Sequence, residues 1–393
     1  MNAIRPSLRF RILAALAAMM FSGPAAMARN GKATTGQDSA AAEALFTNGI
    51  ILVLKIDIPN PGMKSLRRDR RTCVQATVRD GGTVYTNVMI RLKGGAGSFR
   101  PVDNKPGLTL KFEEASASFH GLNKIHLNNS VQDRTFLSEW LCGEIFREAG
   151  VPAPRAVPVL VELNGRRLGI CVLLESVDRQ FLARYFKNTH GNVYCPPGNS
   201  DITEPLDCIG GRERNNRADV EELAAAATTP GSARLPQVLD MDRFLSFLAL
   251  EVMLCHRDGY TFNVKNYLIY HDLDSQKMVF IPHDLDTMLQ DPNQPALPRV
   301  QGVVSKAVLA DRLTQKRYLE RLSDLYRKVF VAPVLIGRID ALVAKIGPAI
   351  QAYDPDLARA FMSHVGNLKT RIVSRARALR AQLNASELGL SDH

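Results

Sequence analysis

Apolar positions change their period partway along this chain. Ile50 to Ile58 (Ile-Ile-Leu-Val-Leu-Lys-Ile-Asp-Ile) is a strand pattern, partly alternating. Cys73 to Arg79 and Thr83 to Leu92 alternate on either side of Asp80-Gly81-Gly82, which is hairpin chemistry. Leu108 to Glu113 and Lys124 to Leu127 predict two further short strands. A helix is expected from Asp133, as N-cap, to about Ala149, with Leu137, Leu141, Ile145 and Phe146 on one face. Gly150, Pro152 and Pro154 close it. Val157 to Leu163 and Leu168 to Glu175 form a hairpin around Asn164-Gly165, a type I′ turn signal.

Beyond Glu175 the period lengthens. Asp178 to Phe186 reads as helical, and the Pro-, Gly- and Asn-rich stretch 195–218 reads as a long loop. Helices are expected over 219–228 and 240–255, the second with Phe244, Leu245, Leu248 and Val252 at helical spacing. Tyr267 to His271 and Lys277 to Pro282 pair around Asp272-Leu273-Asp274. From about residue 303 the pattern stays helical. A strand-rich first half followed by a helix-rich second half predicts an α+β fold of two lobes with a cleft between them.

The N-terminus carries Arg5, Arg9 and Arg11, then an apolar run from Ile12 to Phe21 and a small-x-small site at Ala26-Met27-Ala28. This is the layout of a secretory signal peptide over residues 1–28, with a small, polar, flexible lead-in over 29–45. An exported protein of the periplasm, cell envelope or outside is expected, with no membrane span left after cleavage. Removing residues 1–28 takes three Arg and no acid from a formal charge of +11, leaving +8. That basic balance suits nucleotides, acidic proteins or anionic lipid, and most of it is expected simply to solvate the surface. Without aromatic interleaving or a nucleic-acid motif, nucleic acid is not the expected partner. Among six cysteines, Cys195 and Cys208 flank the Pro/Gly-rich loop and are the expected disulfide. Cys142 and Cys255 lie in apolar helical patterns and are expected as buried thiols.

The chemistry concentrates in two segments. His256-Arg257-Asp258-Gly259-Tyr260-Thr261-Phe262-Asn263 has the H-R-D-x-x-x-x-N spacing of a protein-kinase catalytic loop. Pro282-His283-Asp284-Leu285-Asp286 supplies carboxylates downstream, where a kinase holds Mg²⁺. Asp258 is the candidate base that orients and deprotonates an acceptor hydroxyl. Asn263 or Asn266 and Asp284 are candidate Mg²⁺ (or Mn²⁺) ligands. Asp286 is a second ligand or a cap, because residues two apart on an extended segment face opposite ways. Arg91-Leu92-Lys93-Gly94-Gly95-Ala96-Gly97-Ser98 ends a strand in a glycine-rich loop whose backbone N–H groups, Gly94 and Ser98 included, suit phosphate. Lys105 is the candidate contact to the ATP phosphates, with Arg91, Lys93 and Arg100 as rivals. Glu175 is a candidate to pair with a phosphate-binding lysine or to line the nucleotide pocket, with a plain surface position as the equal alternative, and Glu139 and Glu144 compete for the lysine-pairing role.

With these pieces in order, the chain resembles the spore coat protein H (CotH) kinase family of secreted atypical kinases. The matching segments are Asn87 to Gly94 through Ser98, Lys105 to Phe112, Leu127-Asn128-Asn129 with Asp133, and Gly150 to Pro154. They continue with Leu163-Asn164-Gly165 and Gly169, Leu174 to Asp178, Asp258-Gly259-Tyr260 with Asn266-Tyr267, and Pro282 to Asp286. They run in family order from about residue 46 to 290, which sets a core of 46–295 and a C-terminal helical region of 296–393. The resemblance implies a remote protein-kinase-like fold, binding of ATP and Mg²⁺, and phosphorylation of Ser or Thr in a protein substrate. By position it makes Asp258 the catalytic-loop carboxylate, Asp284 the metal ligand and Lys105 the phosphate contact. The other reading is an envelope protein that keeps the fold without the catalysis. The chain departs from family habit at His283, where Trp is common, at Arg257, where an aromatic residue is common, and in an extra Gly-Ala in the glycine loop. Substrate and pocket shape are where it is expected to differ.

Overall fold

A computed structural model describes residues 36–387 other than Ala96 and Glu114, and it is α+β. The first half runs α1 (Gly36–Thr47), β1 (Val53–Asp57), α2 (Asn60–Arg68), β2 (Val74–Asp80), β3 (Thr83–Lys93), β4 (Gly107–Lys111), β5 (Lys124–Asn128), α3 (Ser138–Glu148), β6 (Ala156–Leu163) and β7 (Arg166–Glu175). Then follow α4 (Arg179–Leu182), β8 (Val193–Cys195), β9 (Asp207–Gly210), α5 (Ala218–Thr228), α6 (Leu235–Val238), α7 (Met241–Met253), α8 (Tyr260–Asn263), β10 (Tyr267–Asp272) and β11 (Lys277–Pro282). The helices α9 (Val303–Ala310), α10 (Arg312–Lys328), α11 (Ala332–Tyr353) and α12 (Pro355–Glu387) come last. The signal-peptide expectation falls on residues outside those described.

Strands β1 to β7 close into a barrel in the order β1-β2-β3-β4-β5-β7-β6, with β6 parallel to β1 at the seam. Alternation along β3 and β4 sends Val88, Ile90, Leu108 and Leu110 inward, where they are almost fully buried. The opposite face of β3, β4 and β5 carries Arg91, Lys93, Thr109, His126 and Asn128. Strand β7 is apolar on both faces because it is buried twice. Cys171 and Leu173 join the barrel core, while Ile170, Val172 and Leu174 join the helical core. The Asn164-Gly165 turn takes φ of 49° and 77°, the left-handed pair that a type I′ hairpin requires.

The larger core joins α3, α5, α7 and α9 to α12. The β10–β11 hairpin packs over α7 and α8 through aromatic rings, Phe244 to Phe280 at 4.9 Å and Tyr260 to Phe280 at 4.8 Å between centroids. The C-terminal helices, set apart in the sequence reading, belong to this same core. Arg375 of α12 is fully buried and donates to the carbonyls of Val252 (2.9 Å) and Met253 (3.0 Å) at the end of α7. Among the described residues, no helix is long and apolar enough to cross a membrane.

Several local expectations are corrected. The lead-in expected to be flexible over 29–45 is helical from Gly36, and Ala42, Leu45 and Phe46 join the barrel core. Small residues hide the amphipathic signal there. The helix predicted from Asp133 begins at Ser138, because Phe136 sits at φ 56° and breaks it. Asp133 instead organises the preceding turn, accepting from Thr135 N and Ser138 N, each at 3.0 Å. The loop over 195–218 contains β9, an edge strand too short and polar to show a period. Cys195 and Cys208 are both free. Their register pairs Cys195 with Asp207 and Cys208 with Tyr194, so the two thiols point to opposite faces. Cys142 and Cys255 are buried free thiols, as read from the sequence.

Candidate active site

Asn128, the last residue of β5, faces the helical half. Its amide Nδ2 donates to both carboxylate oxygens of Glu139 at 2.9 Å and to Oδ1 of Asp284 at 3.3 Å. Glu139 is on the first turn of α3 and is buried. Asp284 follows β11 at φ 55°, and the chain turns immediately after it. That turn corrects the expectation of an extended segment with its two acids facing apart. Asp284 and Asp286 instead both bear on Glu139.

Two buried carboxyls, Glu139 and Asp286, with half-buried Asp284 beside them, repel one another. Burial, then Asp284 and Asp286, push Glu139 well above the usual carboxylate range. Burial, then Asp284 and Asp133, push Asp286 up to about 8. Lys93 is the cation that opposes both shifts, and its charge also bears on the two neighbouring histidines. Burial and then Lys93 hold His283 down to about 4, so it is neutral beside the acids at physiological pH.

Asp258 enters from the other side on the loop between α7 and α8, and its charge reaches Asp286. A buried carboxylate shapes that loop. Glu251 Oε1 accepts from Tyr260 N (3.0 Å) and lies 3.1 Å from His256 Nδ1, while Oε2 accepts from Thr261 N (2.7 Å). Gly259 is required where the loop passes Glu251, because a Cβ there would stand 2.2 Å from Oε1. Asn263 Nδ2 donates to Asp258 Oδ1 at 3.0 Å, and Asn199 donates to Asn263 at 3.3 Å. Asp258 and Asn263 line a cavity of about 710 Å³ with Gln132, Arg257, Thr287 and Arg299. Thr287 Oγ1 is buried there with no hydrogen-bond partner among the described residues.

The glycine loop reaches the same place. Gly94 and Gly97 take φ of 123° and 89°, and Ser98 Oγ accepts from Gly95 N at 3.2 Å. A Cβ on Gly97 would lie 3.5 Å from Gln132 of the cavity wall. Asn129 Nδ2 ties the loop down, donating to Ser98 O at 2.9 Å and to Lys105 O at 3.0 Å.

The structure thus draws Asp284, Asp286, Asp258 and Asn263 to one region, with the loop of Gly94 and Ser98 at its edge. Asn266 stands beside it, its carbonyl accepting from His283 N at 2.9 Å. Arg91 is exposed on the same strand face and contributes to the lowered pKa of His126. Two side chains are committed to other partners. Lys105 donates to Ile170 O at 2.6 Å and sits over the Phe136 ring at 4.7 Å. Glu175 is buried between Arg155 (2.8 Å) and Arg184. Sequence reasoning kept Lys93 and Glu139 only as rivals and left out the site roles of Asn128 and Gln132. The paired asparagines Asn128-Asn129 at a strand end were the available signal.

The residues suit a hard cation. Buried carboxyls with raised pKa gain from a divalent charge. Among the described residues, no group of three or more His, Cys, Asp or Glu is placed to hold a metal by itself.

Residues 90–379 match the family described as CotH kinase protein. The chain therefore belongs to the CotH kinase family, and it is a kinase-like protein. It is 24% identical over 261 residues to the inner spore coat protein H of Bacillus subtilis (strain 168), covering 59% of this chain and 70% of that one. Looser structural overlaps, each with a TM-score of 0.32, are found with the Helicobacter pylori proinflammatory kinase CtkA and with HipA in the Shewanella oneidensis HipA–HipB–operator DNA complex. The first is 12% identical and covers 73% of this chain and 97% of the other; the second is 14% identical and covers 74% and 67%.

Proposed function

We propose that this protein transfers the γ-phosphoryl group of ATP to a Ser or Thr hydroxyl of a protein, outside the cytoplasm or in the cell envelope. The observation that carries this reading is the meeting of Glu139, Asp284 and Asp286 opposite Lys93, beside a cavity lined by Asp258. Asp284 and Asp286 would hold Mg²⁺, with Asn128 and Glu139 fixing the position of Asp284 and with Asn263 or Asn266 near enough to assist. A bound Mg²⁺ supplies charge neutralisation on the triphosphate. Lys93 and the backbone of the Gly94–Ser98 loop steady the phosphates, and Arg91 adds positive charge at the edge. Asp258, held by Asn263, accepts the proton of the acceptor hydroxyl. That oxygen bonds to the γ-phosphorus, the bond from phosphorus to the β,γ-bridging oxygen breaks, and ADP leaves with the electron pair.

The test is transfer of ³²P from [γ-³²P]ATP with Mg²⁺ to dephosphorylated casein as a generic Ser-rich acceptor. Wild type should label it, whereas Asp258→Asn and Asp284→Asn proteins with unchanged circular dichroism should not. Equal labelling by all three proteins, or none by wild type, overturns the reading.

A further inference from the structure

The cavity that holds Asp258 is lined by more positive than negative side chains. Among the described residues lining it, Asp258 is the one acid, and two guanidinium groups, Arg257 and Arg299, stand in the same wall. Arg257 comes from the loop after α7 and Arg299 from the segment that follows Asp286, so two separate stretches of chain bring positive charge to one opening. Both arginines are exposed. Most other arginines near carboxylates are paired: Arg67 with Asp103, Arg155 and Arg184 with Glu175, and Arg338 with Glu148. Among the described residues, neither the Arg257 nor the Arg299 guanidinium has an ion-pair or hydrogen-bond partner. The rest of the wall is neutral, including Gln132, Thr287, Gln290 and Gln294.

We infer that Arg257 and Arg299 select acceptor segments carrying a carboxylate or a phosphate next to the hydroxyl that is modified. The inference rests on the kinase reading and adds the class of substrate to it. The physical reason is direct. A hydroxyl brought to Asp258 must enter this opening, and the residues flanking it then pass the two arginines. Guanidinium forks match carboxylate and phosphate oxygens in geometry as well as charge. Flanking lysines or arginines would meet like charge. Because both side chains are exposed, the preference depends on ionic strength and is modest per contact.

The experiment measures binding of the full protein to fluorescein-labelled peptides by anisotropy. The peptides share one central serine and differ only in their flanking residues, which are alanine, glutamate or phosphoserine. Wild type should bind the glutamate or phosphoserine peptide roughly five- to tenfold more tightly than the alanine peptide at low salt. The stronger of the two shows whether carboxylate or phosphate is the natural feature. The gap should close in Arg257→Gln/Arg299→Gln. Equal binding of all three peptides by wild type, or a gap that survives the double substitution, overturns the inference. So does a double variant that keeps the gap while losing a fluorescent ATP analogue with Mg²⁺, which would move the arginines to the nucleotide. Phosphoryl transfer is scored separately. A charge preference without transfer to any peptide would end the kinase reading while leaving an acidic-segment site in place.

Discussion

The side-chain amide of Asn128 lies 3.3 Å from Oδ1 of Asp284, across 156 positions of sequence. One end of that contact is a barrel strand, rigid through pairing on both sides. The other is a turn whose first residue is left-handed. The contact therefore positions a carboxylate from the helical half against the barrel face that bears Lys93. Asn128→Ala is expected to keep the fold and to weaken nucleotide affinity with Mg²⁺ more than without it, as titration of a fluorescent ATP analogue would show.

Lys93 and Lys105 separate the structural reading from the positional one. Lys93 opposes the raised pKa of the site carboxyls, whereas the Lys105 ammonium is committed to Ile170 O. Losing a charged hydrogen bond to phosphate costs about 1.5–3 kcal/mol, so Lys93→Met should weaken ATP binding by at least roughly tenfold. Lys105→Met should act mainly on stability. If Lys105→Met removes ATP binding while Lys93→Met spares it, the assignment of the two lysines reverses.

Asp178 caps α4, accepting from Gln180 N at 2.9 Å, yet burial pushes its carboxyl up to about 6. A raised folded-state pKa means that its contribution to stability is complete below about 4 and is lost as pH rises through about 6. Asn caps as well as Asp and cannot ionise. Asp178→Asn should therefore match wild type at pH 4 and exceed it by about 1–3 kcal/mol at pH 7, measured by urea denaturation. Parallel pH profiles for the two proteins would refute this.

Gly259 sits against Glu251 at ordinary negative φ, so its requirement is one of space alone. Gly259→Ala should cost roughly 1–3 kcal/mol of stability. It should also lower activity by more than its loss of folded protein explains, because Asp258 rides on the displaced loop.

Arg375 is buried and donates to four backbone carbonyls, among them two at the end of α7. Arg375→Met keeps the apolar stem but removes the guanidinium donor from all four carbonyls, and the carbonyl of Val252 keeps only the backbone N–H of Cys255 and Leu254. We expect a loss of about 2–4 kcal/mol on denaturation. A chain ending at residue 295 should not fold, since it exposes the apolar surface that α9 to α12 cover.

Much of the fold was legible because local rules act locally. Asn164-Gly165 can be little other than a tight turn, and the alternation of β3 specifies which side chains enter the barrel. The Asp258 loop was legible for the same reason, since its residues are consecutive. Lys93 and Lys105 were not separable, because both follow or precede strands near glycines. Their difference lies in which side of β3 and β4 each faces and in what covers it. The helix at α1 and the strand at β9 were hidden because small or polar residues blur the hydrophobic period until tertiary contacts select a conformation.

Chain order alone established the succession of strands and helices, the candidate acids after α7 and β11, and the glycine loop after β3. Tertiary structure decided that the strands close into a barrel and that α12 caps α7. It also decided that buried Glu139 and Asp286 come together with half-buried Asp284 and Lys93. The physical reason is that burial and charge repulsion belong to the assembled molecule: a carboxyl such as Asp286 acquires its raised pKa only when distant residues exclude water from it.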